Sequence, residues 1–210
     1  MSISFNFNQL SFIILVIFLA AWLVQMLYHW ILFRRLAFYK KKETNTEYEP
    51  VSVIVCARDA YEYLLDLLPV VLNQDYPEYE LVIVNDCSQD QTEEHLKELA
   101  RNNPKINFVN LTQHLNFFQG KKFPLSMGIK SAKYDLLLLT DADCVPTSDQ
   151  WIKEMVGAYN KDTEIVVAYG PYFERKGLLN KLIRFDTLYI GMQYMSLALA
   201  GKPYMGVGRN

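Results

Sequence analysis

The chain has 210 residues, a formal net charge of −2 from 21 Lys and Arg against 23 Asp and Glu, and a 51% share of hydrophobic residues. No basic stripe runs through residues 50–210, which argues against nucleic acid as a partner. Cys56, Cys87 and Cys144 are an odd number, widely spaced and without a Cys-x-x-Cys pair, so they are expected as free thiols, small residues in the core rather than disulfides or a thiolate metal site.

The first element in chain order is apolar. Leu10 to Phe33 carries no charge, and a helix of that length spans roughly 36 Å, enough to cross the hydrocarbon core with some tilt. No Lys or Arg precedes it, whereas Arg34, Arg35, Lys40, Lys41 and Lys42 follow at once. The positive-inside rule then predicts a single-pass protein of the cytoplasmic (inner) membrane whose remaining chain is cytosolic, its basic cluster near anionic lipid. A cleaved signal peptide would have its charges first and a shorter apolar core. Gln25 and His29 share a helix face at i, i+4, where contact with another helix is one reading. The resulting division is a membrane anchor over 1–35, a basic and polar linker over 36–49 and one domain over 50–210, long enough for a single core.

Beyond the linker, strands and helices alternate, which predicts an α/β fold with a mostly parallel sheet and flanking crossover helices. The strand candidates are Val51 to Cys56, Leu81 to Asn85, Ile106 to Asn110, Leu136 to Thr140 and Ile165 to Tyr169. Between them a helix is expected over Tyr61 to Asn73, another from near Asp90 with Glu93 completing a capping box, and a third from Pro124, acceptable as a first helical residue, to about Ala132. The four leucines from Leu136 read as a strand buried on both faces. The apolar-rich stretch Leu178 to Leu199, with Lys181, Arg184 and Asp186 near its start, predicts a helix that lies either at a bilayer surface or in a core.

Charged and polar residues gather where these strands end. Ala57, Arg58 and Asp59 follow the first strand, Asn85 to Ser88 the second, and Asp141 and Asp143 the fourth. In open α/β sheets such strand ends line the ligand crevice. Two carboxylates one residue apart suit a hard cation, Mg²⁺ or Mn²⁺, that neutralises a diphosphate. Taken singly, each group has a plainer alternative: a polar loop for the Asp pair, a surface ion pair for Arg58 and Asp59, a turn cap for Asp86.

The runs PVSVIVCARD, ELVIVNDCSQDQT and GKKFPLSMGIKSAKYDLLLLTDADC, in that order and spacing, resemble the motifs of family-2 glycosyltransferases, especially membrane-anchored bacterial members. These are inverting enzymes of the nucleotide-diphospho-sugar transferase (GT-A) fold. The resemblance covers Pro50 to Asn210. It implies a nucleotide-sugar donor, a UDP-sugar by the family's pattern, and an acceptor (glycan, lipid or other) that the residues leave open. Ala57 and Asp86 would hold the uracil end, with Arg58 and Asp59 beside them. Asp141 and Asp143 would be the DxD motif for metal and diphosphate, with Lys121 near the nucleotide. Ala60 stands where many members have Glu, and Ser126 where relatives often have Asn. The family's acidic base motif and its Gln-x-x-Arg-Trp motif have no match, so the base is expected beyond Asn210. Two expectations follow: inverting, metal-dependent sugar transfer, or a truncated or inactive membrane-tethered nucleotide-sugar-binding protein. Nucleotidyl transfer on the same fold would want a glycine-rich first loop, and Cys56 to Ala60 is not one.

Overall fold

The computed structural model describes residues 7–40, 48–112, 120–160 and 163–207. In chain order the elements are α1 (Phe7–Ala37), β1 (Val51–Ala57), α2 (Tyr61–Leu72), β2 (Tyr79–Asp86), α3 (Thr92–Asn102), β3 (Ile106–Leu111), α4 (Lys122–Ser131), β4 (Leu136–Asp141), α5 (Trp151–Gly157) and α6 (Leu178–Leu199). They divide into two compact units: residues 1–41 with 171–206, and 42–170 with 207–210.

The larger unit holds a four-stranded, wholly parallel sheet in the order β3-β2-β1-β4. Its central strands are apolar on both faces because helices cover both. Val51, Val53, Val55, Leu81 and Ile83 share one core with Leu64, Leu67, Leu68 and Val71 of α2, Leu96 of α3, and Ile152, Met155 and Val156 of α5. The alternate residues Ile54, Val82 and Val84 are equally buried. Here α4 packs at very close range, since a Cβ on Gly128 would stand 2.7 Å from Ile54 Cγ2 and 3.1 Å from Val84 Cγ2. Two polar knots fix the connections. Ser52 Oγ donates to Glu80 (2.6 Å) and accepts from the Tyr134 N–H (3.1 Å), holding the entry to β4 against β1 and β2. Gln74, at the end of α2, donates to Ser148 O (2.8 Å) and accepts from the Ile152 N–H (3.1 Å), which holds the loop after β4 and the start of α5.

Four sequence expectations need correction. Residues 165–169 lie outside the sheet; Val166 and Ala168 pack on the core while Ile165 is 79% exposed. An extended chain laid over a core produces the same period-2 pattern as a strand. Secondly, among the described residues β4 is an edge strand paired with β1 alone; Leu138 is buried, Leu139 exposed, and the leucine run is better covered on one face than on the other. Thirdly, Glu93 makes no capping box. It bonds Lys97 and Asn110, while Asp90 accepts from the N–H groups of Tyr61 (3.1 Å) and Thr92 (3.0 Å), serving the orphan donors of α2 and α3 together. Finally, α4 begins at Lys122, with Pro124 inside its first turn, where no intrahelical partner is lost.

The smaller unit joins α1 and α6. Of the described helices, α1 alone is long and apolar enough to cross a membrane, and its last turn carries Arg34 and Arg35. Of Gln25 and His29, His29 makes the contact between helices: its Nε2 lies 2.7 Å from the Tyr189 hydroxyl of α6, while its Nδ1 lies 2.6 Å from the backbone Gln25 O of its own helix. Phe33 packs edge-on to the same tyrosine. The first half of α6 is not a core helix, because Leu178, Leu179, Leu182 and Phe185 are all exposed.

Candidate nucleotide and metal site

The chain lays down β1, β2 and β3 side by side in one direction and then returns to place β4 on the far side of β1. The order of strands therefore reverses between β1 and β4, and in open α/β sheets the carboxyl ends at such a point are where ligands bind. Cys56 and Asp141 are register partners across that point, and Ala57 pairs with Asn85 on the other side of β1.

On the β2 side the two loops lock each other. Asp59 (φ 47°) and Cys87 (φ 54°) both occupy the left-handed region, uncommon for residues other than glycine. The Asp59 N–H donates to Ser88 Oγ (2.9 Å), and Asp59 Oδ1 accepts from the Gln89 N–H (2.6 Å). The Ala60 N–H donates to Thr92 Oγ1 (3.1 Å). Behind them Asn85, Asn110 and Glu93 form a ladder, with Asn85 Nδ2 donating to Asn110 Oδ1 (2.7 Å) and Asn110 Nδ2 to Glu93 (3.0 Å). These bonds stabilise a strained backbone whose outer wall is the Arg58–Asp86 pair, 3.9 Å apart. Asp86 is well covered and Arg58 largely exposed. Ala57 is 1% exposed within the core, so anything it offers a ligand falls to its backbone.

On the β4 side Gly120 takes φ 132°, which glycine alone tolerates, and leads into Lys121 at the mouth of α4. Lys121 Nζ lies 2.8 Å from Asp141 Oδ1. That hydrogen bond holds the Lys121 ammonium above its ordinary range, against a smaller opposing effect of burial. Beneath it the Cys56 thiol is pushed up to about 11, chiefly by burial; Lys121 opposes the shift while Asp86 and Asp141 add to it. The Cys144 N–H donates to Asp141 O (3.1 Å), a tight turn that folds Asp143 and Cys144 back toward Asp141. The ligand atoms of Asp141, Asp143 and Cys144 all lie within 4.8 Å of one another. Two carboxylate oxygens so placed fit a hard divalent cation.

The sequence-derived residues thus fall into two groups at the carboxyl end of the sheet: Ala57, Arg58, Asp59 and Asp86 on the β2 side of β1, Lys121, Asp141 and Asp143 on the β4 side. Sequence reasoning missed the Asn85–Asn110–Glu93 ladder and the approach of Cys144 to the Asp pair. Strand-end register would have found the first, since Asn85 and Asn110 are partners on adjacent strands. None of the three cysteines is in a disulfide, as expected, but all are only half-buried rather than core residues.

The family model described as Glycosyl transferase family 2 matches residues 52–203. An uncharacterized glycosyltransferase of Haemophilus influenzae is 32% identical over 144 residues, 69% of this chain and 41% of that protein. A poly-beta-1,6-N-acetyl-D-glucosamine synthase of Staphylococcus epidermidis is 32% identical over 188 residues, 86% of this chain and 43% of that one. The chain therefore spans less than half the length of these curated relatives. A mannosyltransferase from Pyrobaculum calidifontis, solved in complex with GDP-Man and Mn²⁺, is alike in fold, with a TM-score of 0.58 at 23% identity over 70% of this chain and 43% of its own.

Proposed function

The chain belongs to glycosyl transferase family 2, and from that premise we propose that it serves the metal-dependent transfer of a sugar from a UDP-sugar to an acceptor hydroxyl, with inversion at the anomeric carbon. The observation that carries the reading is the convergence of Asp141, Asp143 and Lys121 at the point where the strand order reverses. Asp86 and the Ala57 backbone bind the uracil end, and Arg58 and Asp59 hold that wall in place. Lys121, a flexible point charge, meets diphosphate oxygen. Asp141 and Asp143 would hold a divalent cation, Mg²⁺ or Mn²⁺, which when bound would supply neutralising charge for the diphosphate leaving group. The acceptor oxygen attacks from the opposite face, its proton passes to a base, and UDP leaves with the bonding pair, which inverts the centre. We assign no residue to that base.

In the same reading α1 crosses the cytoplasmic membrane once and the α/β unit lies in the cytosol, supported by the one-sided Arg34, Arg35 and Lys40 after its apolar run. Protease added outside intact cells is expected to leave residues 50–210 uncut, and digestion there reverses the topology. The name of the Staphylococcus relative makes UDP-N-acetylglucosamine the first donor to test. UDP release from it, by the chain in membranes or detergent, should require Asp141. Donor binding without any release supports the alternative of a membrane-tethered nucleotide-sugar-binding protein.

A further inference from the structure

Lys121 and a divalent cation need the same carboxylate. Lys121 Nζ sits 2.8 Å from Asp141 Oδ1, and this is the carboxylate that opens toward Asp143 and Cys144. A dication joining Asp141 brings two further charges to within a few ångströms of the ammonium, and like charges at that range disfavour each other. Among the described residues Asp141 is the one carboxylate in ion-pair contact with Lys121, and Asp143 attracts the ammonium from further off; these same two carboxylates are the ones a dication would take, so metal binding draws on the charge that holds Lys121. A diphosphate compensates the repulsion, because its oxygens accept the displaced ammonium and share the metal's charge.

We infer that Lys121 is a cation gate: its ion pair with Asp141 weakens the binding of free metal, and the pair opens when metal arrives together with a nucleoside diphosphate. This rests on the metal assignment above and adds an order to it. Lys121 disfavours the metal-only state and favours the metal–nucleotide state, so metal and nucleotide bind with positive coupling that belongs to one side chain. The Lys121 side chain is 70% exposed, so the ion pair is solvent-screened and the effect sits at the low end of the range for such pairs. Exposure also makes Lys121→Gln a mild substitution for folding.

The test is Mn²⁺ binding to the full chain in detergent, followed by the electron paramagnetic resonance of free Mn²⁺, for wild type, Lys121→Gln, Lys121→Arg and Asp141→Asn. Without nucleotide, Lys121→Gln is expected to tighten Mn²⁺ about two- to fivefold, Lys121→Arg to stay near wild type, and Asp141→Asn to weaken it. With Mn²⁺ saturating, the same Lys121→Gln is expected to weaken UDP about two- to fivefold. The opposite signs are the signature, since a merely structural lysine moves both affinities the same way. Free Mn²⁺ binding that is unchanged or weaker in Lys121→Gln, with Asp141→Asn still weakened, overturns the gate and leaves the metal site standing. Mn²⁺ binding that ignores Asp141 as well overturns both.

Discussion

Cys56, one residue from the end of β1, and Asp141, the last residue of β4, are register partners at the reversal of strand order, so a thiol forms the floor of the proposed diphosphate site. Burial pushes that thiol from 9.0 to about 11. Cys56 is therefore neutral at physiological pH and should react slowly with iodoacetamide, more slowly still with UDP and metal bound. The fold favours the protonated thiol, so this stabilisation is complete below pH 9 and is lost as pH rises toward 11. The full shift corresponds to about 3 kcal/mol, less for partial exposure. Tyr76, raised to about 12 mainly by burial, acts in the same direction above pH 10. The difference in melting between wild type and Cys56→Ala across pH 8 to 11 isolates the thiol, and a constant difference contradicts the assignment.

Gly128 is a packing glycine. Alanine there gains about 1 kcal/mol of helix propensity but drives its methyl into Ile54 and Val84, an overpacking that costs about 1–3 kcal/mol. Chemical denaturation of Gly128→Ala should show a net loss of up to about 2 kcal/mol. A stabilised variant would mean that α4 stands further from the sheet.

Gln74 ties α2 to the segment that leaves the metal site. Gln74→Ala removes the bonds to Ser148 and Ile152 and leaves a buried N–H without its partner, a loss of about 2–3 kcal/mol. Hydrogen exchange should localise the loosening to the start of α5. Unaltered protection at Ile152 would show that the bond contributes nothing.

His29 and Tyr189 hold α1 to α6 in the smaller unit. A double-mutant cycle of His29→Leu and Tyr189→Phe in micelles is expected to give a coupling of about 0.6 kcal/mol, with an upper bound near 1.7. Strict additivity would remove the contact from the account.

The four sheet strands were legible in the sequence because each is a short apolar run between turn residues, and a run of that kind has few other homes. Position within the sheet was not legible: Leu136 to Leu139 read as central, yet the crossover that returns to the far side of β1 leaves them at an edge. Asp86, Asp141 and Asp143 were visible as acids at strand ends. The partners that define their setting are set by tertiary geometry instead, Lys121 lying 20 residues from Asp141 and Gln74 lying 78 from Ile152. α5 escaped notice because seven residues are too few to display a helical period.

Asp141 and Asp143 are proposed to bind a nucleoside diphosphate through a divalent cation. Calorimetric titration of UDP into the chain, first with Mn²⁺ or Mg²⁺ and then with chelator, decides it. Binding is expected to depend on the cation and to be weakened by Asp141→Asn or Asp143→Asn. Equal UDP affinity with cation and with chelator would rule out the metal bridge.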